Sequence, residues 1–314
     1  MSYQVDTNKI SFNELGIDNI AEKLGLLKRL EDVPTYNAGA YKGVSVNVNG
    51  SANKEKLLDV AEFGIKSVPY YRTQAINNPT YNKNIKGAPD VNYAREGTIS
   101  AMTKANEILA ELGLELLVLD AHRSPATQNV LFESFKEKYF EKMGCGLSQQ
   151  TKFNEEEIKR QRLRLDEKAK EFALDFCSSA ENFDSKDPKT WTIHSTGGAV
   201  DVVLLDKKSG RVVDMGEGYF DNPAEVTKVR HYEDKENRTA EDDGYVKARR
   251  VLYNVMTSVG FVNYGNECFH FSYKDPYWGL VKGKEAEYGY VQSPKDRELA
   301  MMMSGLAQSK GTRF

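Results

Sequence analysis

The stretch Thr190–Asp206, TWTIHSTGGAVDVVLLD, decides how the rest of the chain is read. Its second half is apolar and rich in β-branched residues, so Gly198 to Leu205 is expected to form a buried strand. Asp201 stands inside that strand, where an unpaired carboxylate is costly and a metal ion would neutralise it. His194 precedes it by seven residues. Gly197 and Gly198 lie between the two, and they permit a bend that lets both side chains converge on one ion.

Upstream, Ile99, Met102, Ala105, Leu109 and Leu112 recur at spacings of three and four. This predicts a helix from Thr98 to Gly113, with the glycine at its C-terminal cap. LELLVLDAHRSP then predicts a strand over Leu114 to Leu119 and a polar turn ended by Pro125, placing Arg123 just past the strand end. Thr127 to about Ser179 reads as a charged helical pair, and its alternating signs suit a solvated face better than a nucleic-acid arm. Beyond the opening stretch, DKKSGRVVDMG predicts a hairpin turning at Lys208-Ser209-Gly210. A helix is expected from about Asp243 to Ser258, with Val251, Leu252, Val255, Met256 and Val259 on one side and Gly260 at its end. GFVNYGNECFHFSY alternates aromatic and smaller residues as a strand does. Helices alternating loosely with strands and hairpins indicate an α+β domain rather than a doubly wound sheet.

The bulk numbers narrow the function. With 314 residues and 40% hydrophobic content the chain can bury a full core. Cys145, Cys177 and Cys268 share no C-x-x-C spacing, so they read as reduced thiols of a cytosolic protein rather than as disulfides or a zinc ribbon. No basic segment with a following apolar region opens the sequence, and no stretch approaches the roughly 18 apolar residues of a membrane span. A cytoplasmic location is the expectation. A net charge of −3 with interspersed signs offers no footprint for nucleic acid or an anionic membrane, which leaves a small molecule or a protein as partner and homo-oligomerisation open.

His194 and Asp201 gain meaning beside Glu267 and His270. Hydrolytic zinc commonly takes three protein ligands and leaves a position for water, so two histidines and an aspartate suffice. Glu267 could then take the proton from that water. In a regular strand Cys268, His270 and Ser272 share one face and Glu267 points away. The turn-prone Gly265-Asn266, or a bulge, would bring it back. Taken singly, each residue has a plainer reading: a histidine as hydrogen-bonded scaffold, an aspartate as edge charge. Their joint occurrence favours the metal. His231 reads as a surface or rim residue of a charged loop, and His122 as shaping its turn. Arg123 is either a surface salt bridge or a fork that meets a developing oxyanion.

In this order, DAHRSP, TIHSTGGAVDVVLLD, VDMGEGYFD and ECFHF resemble the zinc-dependent D-alanyl-D-alanine dipeptidases of the VanX type. That group is related to D,D-carboxypeptidases and shares a zinc-binding fold with hedgehog domains. The family's S-x-H-x-x-G-x-A-x-D appears with Thr192 for Ser, its E-x-W-H with Phe269 for Trp, and its Arg-Pro turn with Ser124 inserted. The resemblance runs from about Leu57 to about Trp278. It implies a single zinc-peptidase domain with a mixed or antiparallel sheet and flanking helices, and one zinc per chain on His194, Asp201 and His270. It also implies Glu267 as general base and acid, Arg123 as transition-state stabiliser and Asp221 on the substrate's ammonium. The implied boundaries are an extension at 1–56, a catalytic domain at 57–285 with a charged helical insertion at about 136–187, and a tail at 286–314. The implied activity is hydrolysis of D-Ala-D-Ala. Alternatives are a D,D- or L,D-carboxypeptidase or dipeptidase acting on other peptidoglycan-derived peptides, and a module that keeps zinc without hydrolysis.

Overall fold

The computed structural model describes residues 6–31, 33–36, 39–72, 85, 87–147, 155–216 and 224–294. Its elements are β1 (Asp6–Ile10), α1 (Asp18–Lys23), β2 (Leu57–Asp59), β3 (Lys66–Ser67), β4 (Tyr93–Arg95), α2 (Glu96–Ala110), β5 (Leu114–Asp120) and α3 (Pro125–Lys142). There follow α4 (Glu155–Leu174), β6 (Ala199–Asp206), β7 (Arg211–Val213), α5 (Ala224–Thr227), α6 (Ala240–Ser258), β8 (Val262–Asn263), β9 (His270–Ser272) and α7 (Pro276–Lys282). This is the α+β architecture that the sequence predicts.

β6 is the middle of the molecule, and every one of its residues is buried. It pairs antiparallel with β5 along one side. Its other side is shared, with β9 against its first half and β7 against its last. Parallel β3 and β1 extend the two edges, β3 beside β5 and β1 beside β7, so the sheet is mixed. α2 lays Ile99, Met102, Ala105 and Leu109 onto this sheet, and α6 does the same with Val251, Leu252, Val255 and Met256. α6 begins at Ala240, three residues before the expected start. Thr239 caps it reciprocally: its hydroxyl accepts from the Asp242 amide at 3.1 Å and its own amide donates to the Asp242 carboxylate at 2.7 Å.

α3 and α4 form the charged pair, packed on each other. The start of α3 matters for function. Ser124 accepts from the Thr127 amide at 3.2 Å, and Pro125 occupies the first turn. Strand β5 therefore stops at Asp120, and Ala121, His122 and Arg123 are displayed before the helix begins.

The segment before residue 57 is built into the same body. β1 adds an edge strand, and Ile10, Phe12, Ala21, Leu26, Leu30 and Val33 join the main core. At the other end Val291 donates its amide to Ser195 O at 3.0 Å, against the turn that carries His194. No helix among the described residues is long and apolar enough to cross a membrane.

Candidate metal centre and active site

Three strands put three carboxylate and imidazole groups in one row. In the β6–β9 ladder Asp201 lies opposite His270. In the β5–β6 ladder Asp120 lies opposite Asp201, because an irregularity between Val118 and Asp120 inserts an extra residue. Directly opposite residues project from the same face of a sheet, so Asp120, Asp201 and His270 form a line across it. His194 comes from the 3-10 turn Ile193–Thr196 that leads into β6. Gly197 closes that turn with φ +75°, and a Cβ on Gly198 would sit 2.4 Å from Tyr273 O. Only glycines allow both the left-handed turn and the close approach of β9.

His194 Nε2, His270 Nδ1 and Asp201 Oδ1 meet at one point. The separations are 3.3 Å between the two ring nitrogens, 3.6 Å from His194 to Asp201 and 2.9 Å from His270 to Asp201. Tetrahedral zinc with bonds of about 2.0–2.2 Å needs ligand atoms roughly 3.3–3.6 Å apart, so the triangle fits with a small expansion of its short edge. Hydrogen bonding supports the same assignment. His194 Nδ1 lies 2.7 Å from Ala121 O, which can only accept, so Nδ1 carries the hydrogen and Nε2 aims a lone pair at the other two groups. Burial depresses the His194 imidazole to about 3 and the Asp201 charge offsets only part of this, which keeps the ring in its neutral, ligating form. Burial also disfavours charge on His270, but the hydrogen bond and charge of Asp201 outweigh it and raise that pKa.

Glu267 stands in the connection between β8 and β9. The sequence suggests one strand through this region; the structure has a hairpin of two short strands, because Gly265-Asn266 turns the chain. The Glu267 amide donates to Tyr264 O at 2.7 Å, and the turn brings Oε2 to 3.7 Å from His270 Nδ1. Burial raises the Glu267 pKa, as does the Asp201 charge, while His270 and Arg123 pull it down. The side chain keeps 28% exposure, so solvent reaches one side of the carboxylate and tempers the rise.

Arg123 is no surface salt bridge. It is 5% exposed, and Nη2 and Nε donate to Asp120 Oδ2 at 2.6 and 2.9 Å. Nη1 donates to Gln128 Oε1 at 2.9 Å and Nη2 to the Tyr71 hydroxyl at 3.2 Å, with Asp201 Oδ2 at 3.6 Å. Burial opposes its charge, yet Asp120, Tyr71 and Asp201 hold its pKa above the ordinary arginine value. Burial raises the pKa of Asp120, with Arg123 acting in the opposite sense. The same oxygen, Asp120 Oδ2, also lies 3.3 Å from His194 Nδ1 and so links the arginine to the candidate ligand.

Asp120, Tyr71 and Gln128 escape the sequence reading. The signal for Asp120 is available in retrospect: a carboxylate closing an apolar strand must find a cation, and Arg123 follows three residues later. Tyr71 and Gln128 carry no comparable mark. His122 reaches out of its turn, with Nε2 2.8 Å from Val291 O. His231 packs edge-on to Tyr232 and is not part of the His194–Asp201–His270 group. Asp221 lies outside the described residues.

A profile of the peptidase M15 family, described as D-Ala-D-Ala dipeptidase, matches residues 101–284. That span holds Arg123, His194, Asp201, Glu267 and His270. A D-alanyl-D-alanine dipeptidase from Synechocystis sp. is 27% identical over 190 residues, covering 59% of this chain and 70% of that protein.

Proposed function

The chain belongs to the peptidase M15 family, described as D-Ala-D-Ala dipeptidase, and we propose that it is a zinc-dependent dipeptidase that hydrolyses D-Ala-D-Ala to two D-alanines. The observation that carries the reading is a His-Asp-His triangle with Glu267 3.7 Å from His270 and Arg123 3.6 Å from Asp201. A structural zinc site is usually closed by four protein ligands and needs neither a base nor an arginine.

His194, Asp201 and His270 would hold one zinc. Bound there, the ion supplies a Lewis acid for the scissile carbonyl and brings the pKa of a coordinated water towards neutrality. Glu267, raised by burial, accepts the proton of the attacking water and returns it to the leaving amine. Arg123, fixed by Asp120, Gln128 and Tyr71, meets the oxyanion as it develops without having to reorganise. We assign Asp221 to the substrate's ammonium on the family resemblance, and the catalytic domain to residues 57–285, with its helical insertion at about 136–187 and with the segment before residue 57 packed onto its core. A cytoplasmic location fits a free dipeptide as substrate.

Zinc content, together with amino-acid release from D-Ala-D-Ala, L-Ala-L-Ala and a pentapeptide ending in D-Ala-D-Ala, tests the proposal. About one zinc per chain and cleavage confined to D-Ala-D-Ala is the expected result. Cleavage of the pentapeptide would move the assignment to a carboxypeptidase, and absence of metal would overturn the site.

A further inference from the structure

His270 opens β9, where the β6–β9 ladder sets it opposite Asp201, but Glu267 lies three residues earlier in a turn that strand geometry does not fix. Something must hold them in one relative position. Asn263, the last residue of β8, is 3% exposed and opposite Phe271 in the β8–β9 ladder. Its Nδ2 donates to Glu267 O at 3.0 Å and to His270 O at 2.9 Å. Each of those carbonyls also accepts a backbone amide: Glu267 O that of His270 at 3.2 Å, His270 O that of Tyr264 at 3.1 Å. One carboxamide thus ties together the two ends of the turn. Its orientation is fixed, since a flipped amide would press Oδ1 against two carbonyl oxygens. The arrangement leaves Asn263 Oδ1 buried with no hydrogen-bond partner. A buried unpaired acceptor is a cost to folding. It is retained here with both donor hydrogens spent on the residues next to the candidate chemistry.

Building on the dipeptidase reading, we infer that Asn263 is a positioning residue for the metal centre, setting the distance between the Glu267 base and the His270 ligand. The backbone of the same turn is held from outside by Cys268 N to Thr227 O at 2.8 Å and Val229 N to Gly265 O at 3.0 Å. Removing the carboxamide therefore loosens the turn without dissolving it. Groups that orient a ligand from behind typically change metal affinity about 10–100-fold when lost.

The test compares the wild type with Asn263→Ala and Asn263→Asp in the full chain. The zinc dissociation constant is measured by chelator competition. The values of kcat and KM for D-Ala-D-Ala are measured at saturating zinc, well below each melting temperature. Asn263→Ala is expected to weaken zinc about tenfold or more and to lower kcat about tenfold or more, with KM within about threefold of wild type. Asn263→Asp keeps the shape but turns the donor into an acceptor, so its loss equals or exceeds that of the alanine variant. It also serves should the truncation not fold. A lower melting temperature with zinc affinity and kcat both within about twofold of wild type would show a merely structural residue and overturn the inference. A wild type that neither binds zinc nor cleaves the dipeptide would instead sink the functional reading beneath it.

Discussion

Replacing Asp120 with Asn tests the row of charged groups most sharply. The change keeps the side chain's shape and removes one charge. Asp120 Oδ2 now accepts from both Nε and Nη2 of Arg123, and the other close partners of that guanidinium, Gln128 and Tyr71, are neutral. The nearest remaining carboxylate is Asp201, with Oδ2 at 3.6 Å. An asparagine can offer one oxygen, but no charge, to a cation that is 5% exposed. Breaking one side of a buried pair costs about 3–5 kcal/mol, because the other charge stays buried without compensation. The guanidinium would recover part of that by drawing on Asp201, a candidate zinc ligand. Two losses should therefore appear together: a fall of about 3–5 kcal/mol in urea-unfolding free energy and a fall of about 100–1,000-fold in kcat/KM, the range seen when an oxyanion donor is lost. The assays are urea titration of the metal-free protein and D-alanine release by the zinc-loaded one. A variant within about 1 kcal/mol of wild type and with unchanged kcat/KM would refute the reasoning, since the pair could then not be the anchor that the distances describe.

Further outcomes follow from other groups. Glu267→Gln should retain zinc in stoichiometric amount while kcat drops by about 100–10,000-fold, the contribution of a positioned base; metal analysis and steady-state kinetics on one preparation check both halves. Gly198→Ala should destabilise the fold by about 1–3 kcal/mol, because its new methyl meets Tyr273 O and pushes β9 from β6; thermal melts of the metal-free protein read this. Asp275 caps α7 through the Trp278 amide at 2.9 Å, and burial pushes its pKa up to about 6. A raised carboxyl pKa means the folded state holds a proton that the unfolded state has released, so this contribution is present below about pH 4 and lost as pH rises through 6. Asp275→Asn should thus gain stability relative to wild type between pH 4 and pH 7.5, by an amount of order 3 kcal/mol. A difference independent of pH in urea titrations would count against it.

Much of this was readable from residues alone, and the limits have physical causes. β6 and α2 announce themselves because long periodic apolar patterns have few alternatives. The candidate ligands are legible because carboxylate and imidazole groups in apolar surroundings demand a partner. Strands β8 and β9 are two and three residues long, and so short a hairpin is hidden inside what looks like one alternating run. The segment at 1–56 is expected as an extension, and its place in the core goes unread, because β1, DTNKI, is an edge strand whose parallel partner lies some two hundred positions away. No local pattern records such a pairing. Tyr71 and Gln128 belong to the same class, since only the folded chain brings them to Arg123.

The Asp201–His270 pairing has a consequence for assembly. Side chains alternate along a strand, so sliding β9 by a single position against β6 would send the imidazole to the opposite surface, away from both Asp201 and His194. An ion gripped by all three is compatible with one alignment of those strands and no other. The affinity of such an ion would act as a proofreading force on the sheet, penalising a misaligned β6–β9 pairing by the share of the binding free energy that His270 contributes.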